Sequence, residues 1–172
     1  MAGNRKPRII VVDDDDVLRS VLKEGLTAFE YESQTASSGA AALKHMMEVE
    51  FDVMIADIVM PGMDGFELTR KAKQLKPDLS VIVMTGFQQE ESYGKAVTAG
   101  ASDFIKKPFT IGELIVRIDR VMRDKQVLAG IRQRQEEVRK ISRDMISGVQ
   151  DEASQRIARL EEEIVNLRKQ MI

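Results

Sequence analysis

The sequence predicts an α/β protein, in which a doubly wound (βα)5 parallel sheet is followed by a long C-terminal helix. Three observations indicate this fold class. Short apolar runs alternate with helical patterns five times within residues 8–123. The apolar runs are nearly continuous, as in strands that helices cover on both faces. All aromatic residues and prolines lie within 1–123, whereas 124–172 has the charged composition of a long helix.

Each element has its own signal. The first strand, 8–13, is apolar and β-branched, and the first helix, 17–29, has apolar residues at helical spacing. Ser38 caps the second helix and Gly100 follows the fourth. The remaining strands are predicted at 31–36, 51–56, 79–84 and 102–106, and the remaining helices at 38–48, 64–75, 90–99 and from 110 onward. Right-handed crossovers then place these helices on both faces of one sheet.

Several polar residues have simple structural roles in this arrangement. We expect Asp15 and Asp16 to form a turn or a helix N-cap, and Asp64 to cap the third helix. His45 lies opposite the apolar positions of its helix and is expected at the surface. Lys106 is expected to point to solvent because side chains alternate along a strand. We assign none of these residues to catalysis or metal binding.

The sequence predicts that the chain divides into a flexible N-terminus at 1–7, a domain at 8–123 and an extended helical tail at 124–172.

Composition and charge exclude several classes of function. A net charge of −2 gives no support for direct nucleic-acid binding. The absence of cysteine excludes disulfides and thiolate zinc sites. No apolar run reaches the ~18 residues of a membrane span, and no signal-peptide core follows the N-terminus. We expect a cytoplasmic protein without membrane insertion.

Groups suited to phosphate chemistry follow the predicted strands. Asp13 and Asp14 end the first strand, Asp57 ends the third, Thr85 the fourth and Lys107 the fifth. In open parallel sheets, sites lie at the carboxyl ends of strands. We therefore expect these five residues to meet at one edge of the sheet.

Three carboxylates at one edge would repel one another and raise at least one pKa. A magnesium ion (Mg2+) relieves this repulsion, since it prefers oxygen ligands and polarises phosphoryl oxygens. Lys107 offers a mobile positive charge to one phosphoryl oxygen, and Thr85 offers a hydroxyl to another. Asp57 is then the nucleophile that forms an acyl phosphate.

Taken together, these segments resemble the receiver domains of two-component response regulators. The match covers about residues 7–123 and rests on Val11–Asp15, Asp57–Gly65, Thr85–Gly86 and Lys107–Phe109, which occur in the expected order. The resemblance implies a flavodoxin-like fold with sheet order 2-1-3-4-5. It also implies that Asp57 is phosphorylated from a histidine of a sensor histidine kinase or of a histidine phosphotransfer protein.

The resemblance assigns further roles. It implies that Asp14, Asp57 and the backbone carbonyl of Val59 bind magnesium directly, and that Asp13 binds it through water. Thr85 and Phe104 occupy the two switch positions of the family. Val59 and Phe87 occupy the positions whose side chains tune the attack of water on the acyl phosphate. Because neither can hydrogen-bond a water molecule, the resemblance predicts a phosphoryl group that persists for minutes or longer.

The tail has the spacing of a coiled coil. Apolar positions recur about every 3.7 residues from Val138, and from Ile157 to Met171 they settle into alternating steps of three and four. Since a single helix with an apolar stripe is marginal in water, we predict a parallel homodimer through 138–171. A frayed tail and a tail folded back on the domain are the alternatives.

Three functions compete at this stage. The first is a signalling switch that catalyses only its own phosphorylation and dephosphorylation, and that acts on a downstream protein partner through a changed surface or dimer state. The second is a coiled-coil scaffold or adaptor in which phosphorylation is secondary. The third is a magnesium-dependent phosphohydrolase, which Val59 disfavours because it stands where such enzymes carry an acid or base.

Overall fold

The computed structural model describes residues 6–86 and 92–170, with five strands and five helices. The predicted start of the fourth helix at residue 90, together with Phe87 and Met171, lies outside the described residues. The strands are β1 (Arg8–Val12), β2 (Glu32–Ala36), β3 (Val53–Asp57), β4 (Ser80–Thr85) and β5 (Asp103–Lys106). The helices are α1 (Asp16–Ala28), α2 (Gly39–Glu48), α3 (Gly65–Leu75), α4 (Ser92–Ala99) and α5 (Ile111–Gln170).

The sheet confirms the predicted fold class and strand order. All four strand pairings are parallel and the order is β2-β1-β3-β4-β5. The order reverses at β1, whose two neighbours are β2 and β3. Ligand sites of doubly wound sheets lie at this point, outside the carboxyl ends of the strands.

Alternate residues of the strands face two separate apolar layers. Ile10 and Val12 pack with the buried residues of α2, α3 and α4, whereas Ile9 and Val11 pack with those of α1 and α5. These four of the five β1 residues are completely buried. Burial on both faces explains why the strands are continuous apolar runs in the sequence.

The capping predictions are confirmed. The Asp15 side chain accepts hydrogen bonds from the amides of Val17 and Leu18, and Ser38 accepts one from Ala41. Asp64 accepts a hydrogen bond of 2.7 Å from the amide of Glu67. These caps satisfy amides at the first turns of α1, α2 and α3, which have no partner within their own helix.

One surface assignment is wrong. His45 is half-buried, and its Nδ1 atom has no hydrogen-bond partner among the described residues. Spacing along a helix shows which residues share a face, but it does not show how far neighbouring elements cover the opposite face.

The chain divides into two compact units, Met1–Lys125 and Gln126–Ile172. The described part of the second unit is entirely helical and belongs to α5. Its side chains are exposed, including the apolar ones. Among the described residues, no helix combines the length and hydropathy needed to cross a membrane.

We expect the Tyr31 hydroxyl to stabilise the first unit, Met1–Lys125, in a pH-dependent way. It donates a hydrogen bond of 2.8 Å to Asp119 Oδ1 of α5. Burial, that hydrogen bond and the Asp119 charge raise the pKa of Tyr31 from 10.0 to about 12. Because the folded-state pKa is raised, this contribution is complete below pH 10 and is lost as the pH rises towards 12.

Tyr31→Phe should therefore lower the free energy of unfolding by about 1 kcal/mol at pH 8. Urea unfolding across pH 8–12 checks this, because the difference between wild type and variant should shrink over the upper part of the range. Tyrosinate absorbance should show a late-titrating group in the wild type alone. A constant difference, or identical titrations, would contradict the assignment.

Candidate functional site

The carboxyl ends of the strands bring the predicted polar residues to one edge of the sheet. Asp57 is the last residue of β3 and Thr85 the last of β4. Asp13 directly follows β1, and Lys107 directly follows β5. The peptide bond between Lys107 and Pro108 is cis. Parallel pairing of these strands is what places residues 94 positions apart in contact.

Lys107 joins two carboxylates from different strands. Its Nζ lies 2.9 Å from Asp13 Oδ2 and 3.2 Å from Asp57 Oδ1. Asp13 is only 1% exposed and Asp57 only 8%, whereas the Lys107 side chain is partly open to solvent. A mobile ammonium thus reaches two nearly buried acids from the solvent side.

The position of Asp13 is fixed from two directions. Its Oδ1 accepts a hydrogen bond of 2.9 Å from the amide of Asp15. Its backbone carbonyl accepts one of 2.6 Å from Arg19 Nη1. Sequence reasoning missed Arg19, because its spacing from Asp13 follows no periodic pattern and depends on how α1 packs.

The electrostatic surroundings at this edge favour neutralisation of the Asp57 carboxylate. Burial raises the pKa of Asp57; Lys107 opposes the rise, and the Asp13 charge adds to it. Burial would lower the pKa of Lys107, but its hydrogen bond to Asp13 and the charges of Asp57 and Asp13 outweigh this and raise it. The site thus holds a protonated lysine and a carboxylate whose ionised form is disfavoured.

Three carboxylates can converge on one cation. Asp13, Asp14 and Asp57 each offer an oxygen, and these oxygens lie within 4.8 Å of one another. Asp14 is exposed, which leaves one side of the group open to water. An all-oxygen ligand set that is open to water on one side fits magnesium.

Thr85, Val59 and Phe104 are the other residues that the sequence predicted for this site. Thr85 is buried, and its backbone carbonyl accepts a hydrogen bond of 2.7 Å from the Lys107 amide. The Val59 side chain is 60% exposed in the loop after β3. Phe104 packs against the core beside α4, with the Arg117 guanidinium 5.9 Å from its ring centre. Arg117 also contacts Asp103 at 3.1 Å.

Gly65 allows the start of α3 to lie against the backbone that carries Asp57. A Cβ atom there would lie 2.2 Å from the Asp57 carbonyl oxygen and 2.8 Å from Ile58 Cα. The Gly65 amide donates a hydrogen bond of 2.9 Å to the Ile58 carbonyl. The first turn of α3 therefore rests directly on the backbone that carries Asp57, and only glycine allows this approach.

Comparison with known families supports the resemblance seen in the sequence. Residues 9–119 match the model of the response regulator receiver domain. The chain is 33% identical over 121 residues to the transcriptional regulatory protein PrrA of Mycobacterium leprae, a match covering 70% of this chain and 52% of PrrA. It is 38% identical over 112 residues to the DNA-binding transcriptional regulator NtrC of Klebsiella pneumoniae, covering 65% of this chain and 24% of NtrC.

Solved structures share the fold. A response regulator receiver domain protein from Clostridium thermocellum has a TM-score of 0.67 and 30% identity, with 71% of this chain and 98% of that chain covered. Brucella abortus NtrX has a TM-score of 0.70 and 28% identity, with 74% of this chain and 29% of that chain covered.

The matched region spans about half of PrrA and about a quarter of NtrC. The likeness therefore concerns the receiver part of these regulators rather than their whole length. Family match, strand order and structural neighbours agree on that part. The chain belongs to the response regulator receiver domain family of two-component signalling proteins.

Proposed function

We propose that Asp57 accepts a phosphoryl group and that the chain acts as a phosphorylation-dependent signalling switch. Receiver domains of response regulators interact with histidine kinases or phosphotransfer proteins, and we propose such a protein as the phosphoryl donor. The observation that carries the proposal is the contact of Lys107 Nζ with both Asp13 and Asp57 at the carboxyl edge of the sheet.

In the proposed reaction, a carboxylate oxygen of Asp57 attacks the phosphorus of a phosphohistidine. A new O–P bond forms, the N–P bond breaks, and the histidine nitrogen leaves with the electron pair of that bond. The Lys107 ammonium is placed to contact a phosphoryl oxygen, since it already lies 3.2 Å from Asp57 Oδ1. The Thr85 hydroxyl, at the end of the adjacent strand, is the proposed second donor.

Asp14, Asp57 and the backbone carbonyl of Val59 are the proposed direct ligands of magnesium, and Asp13 is proposed to bind it through water. When bound, the ion supplies positive charge that offsets the carboxylates and polarises the phosphoryl oxygens. Burial and the Asp13 charge disfavour the ionised form of Asp57 by more than Lys107 favours it. A bound cation would offset this penalty. We propose no role for these residues as a phosphatase centre for external substrates.

The output of the switch is proposed to involve Thr85, Phe104 and the tail. Thr85 is linked to Lys107 through the backbone, and Phe104 lies on the adjacent strand β5 under Arg117. A shift of these residues would alter the surface beside α4 and β5. The tail is proposed as a dimerisation or partner-binding element because its apolar side chains are exposed in the single chain.

Acetyl phosphate with magnesium tests the proposal. Intact-mass spectrometry should show one added phosphoryl group, and peptide mapping should place it on Asp57. Light scattering before and after treatment measures the oligomeric state. No phosphorylation with any donor would contradict the switch. A dimer whose state and surface do not change on phosphorylation would favour the scaffold hypothesis.

We expect the acyl phosphate to persist for minutes or longer after the donor is removed. The Val59 side chain is exposed in the loop next to Asp57 and has no atom that can hydrogen-bond an attacking water molecule. The measurement is the decay of the phosphorylated mass in the presence of magnesium. Val59→Gln, which adds a polar group at the same place, should shorten the lifetime. Decay of the wild type within seconds would contradict this prediction.

A further inference from the structure

The exposed stripe at the end of α5 has a charge pattern that distinguishes one mode of pairing from another. Ile157, Leu160, Ile164 and Leu167 are 49–61% exposed. Their spacing defines coiled-coil positions a, d, a and d, in that order. The flanking g positions are then Arg156 and Glu163, and the flanking e positions are Glu161 and Arg168.

Two of these four charges, Glu161 and Arg168, have no opposite charge within reach on their own helix. Side chains three or four residues apart are neighbours on a helix surface. Glu161 has only Ile157, Ala158, Ile164 and Val165 at those distances within the helix. Arg168 has Ile164 and Val165 on its N-terminal side. Within residues 6–86 and 92–170, none of the four forms an ion pair, although spacing allows the pairs Glu152–Arg156 and Arg159–Glu163.

We infer that the end of α5 binds a second copy of this chain as a parallel, in-register coiled coil. In that arrangement each g residue lies beside the e residue five positions later on the partner helix. Arg156 then meets Glu161 of the partner subunit, and Glu163 meets Arg168 of the partner subunit. Symmetry doubles these contacts, which gives four pairs of opposite charge beside the apolar stripe.

The antiparallel alternative brings like charges together. Its best apolar alignment places Ile157 against Leu167 and Leu160 against Ile164. The g positions then face g and the e positions face e. Glu161 lies beside Glu161 of the partner subunit, and Glu163 beside Glu163 of the partner subunit. The same charges that favour the parallel dimer thus disfavour this one.

This inference rests on the proposed dimeric role of the tail, and cysteine cross-linking tests its orientation. The chain has no native cysteine, so a single introduced thiol is unambiguous. Leu167→Cys in the full chain should oxidise to a covalent dimer, because parallel pairing places residue 167 beside its own copy. Ile157→Cys should do the same. Glu162→Cys, on the opposite face of the helix, is the matched control and should cross-link poorly.

Charge exchange gives an independent readout. Arg156→Glu should raise the dimer dissociation constant about tenfold at low salt, by placing two glutamates together. The double variant Arg156→Glu/Glu161→Arg should restore the wild-type value. Mixing Arg156→Glu with Glu161→Arg chains should yield mainly heterodimers.

The outcomes separate the inference from the proposed function. A monomeric full chain would overturn the dimeric role and this inference together. A dimer that does not cross-link at 157 or 167 would overturn only the parallel pairing. So would a dimer whose dissociation constant is unchanged by Arg156→Glu. Phosphorylation of Asp57, measured on the same samples, is independent of both results.

Discussion

Asp57→Asn should abolish phosphorylation by acetyl phosphate and at the same time stabilise the folded chain. The amide cannot act as the nucleophile, so the added mass should disappear completely. Asn also removes a carboxyl group whose ionised form is disfavoured by burial and by Asp13. We expect the free energy of unfolding at pH 7, without magnesium, to rise by on the order of 1 kcal/mol.

The pH dependence gives this prediction a sign that can be checked. The pKa of Asp57 is raised from 3.8 in the folded state. The favourable contribution of Asp57 to the free energy of unfolding is therefore present below the unfolded-state pKa. It is lost as the pH rises through the folded-state pKa. Urea unfolding should show the advantage of Asn at neutral pH, and little or none below about pH 4.

Asp144→Asn in the exposed tail is the matched control, and it should leave both phosphorylation and unfolding unchanged. Magnesium should stabilise the wild type more than the Asp57→Asn variant, because the variant lacks one proposed ligand. Full phosphorylation of Asp57→Asn would show that another residue is the acceptor. A variant less stable than the wild type at pH 7 would show that Asp57 gains more from Lys107 than it loses through burial.

Gly65→Ala should destabilise the receiver domain by about 3 kcal/mol. The new methyl group would lie 2.2 Å from the Asp57 carbonyl oxygen. Both nearby groups are backbone atoms of β3 and of the residue after it, so no flexible side chain can move aside. The start of α3 or the end of β3 must shift, and either movement displaces the Asp57 carboxylate. Phosphorylation should therefore slow markedly in the fraction that folds.

Gly94→Ala is the control, since a Cβ atom at Gly94 meets no described atom within 4 Å. Within α4, alanine should be neutral or stabilise by up to ~1 kcal/mol. Guanidinium unfolding measures both variants, and phosphorylation kinetics measure the site. If Gly65→Ala unfolds with the wild-type midpoint and accepts phosphate at the wild-type rate, the close approach of α3 is not needed.

The sequence predicted the elements and the edge of the sheet that holds the site, for a physical reason. Strand burial on both faces produces apolar runs, and parallel strands end at one edge, so Asp13, Asp57 and Lys107 could be placed together without coordinates. Contacts made by helix packing could not be placed. The Tyr31–Asp119 hydrogen bond joins residues 88 positions apart, and His45 is half-buried by neighbouring elements. Neither follows from spacing within one helix.

Lys107 carries a charge and also contacts residues at the ends of three different strands of the sheet. Its side chain spans β1 and β3 through Asp13 and Asp57, while its own amide is tied to the last carbonyl of β4. Phosphorylation of Asp57 would replace its contact with Lys107 by a contact to a phosphoryl oxygen, whereas the contacts with Asp13 and with the Thr85 carbonyl keep the same atoms. A reaction at one oxygen atom would thus alter one of the three contacts made by Lys107. Any shift of Lys107 would pass through its backbone to Thr85 at the end of β4 and to β5, the strand that carries Phe104.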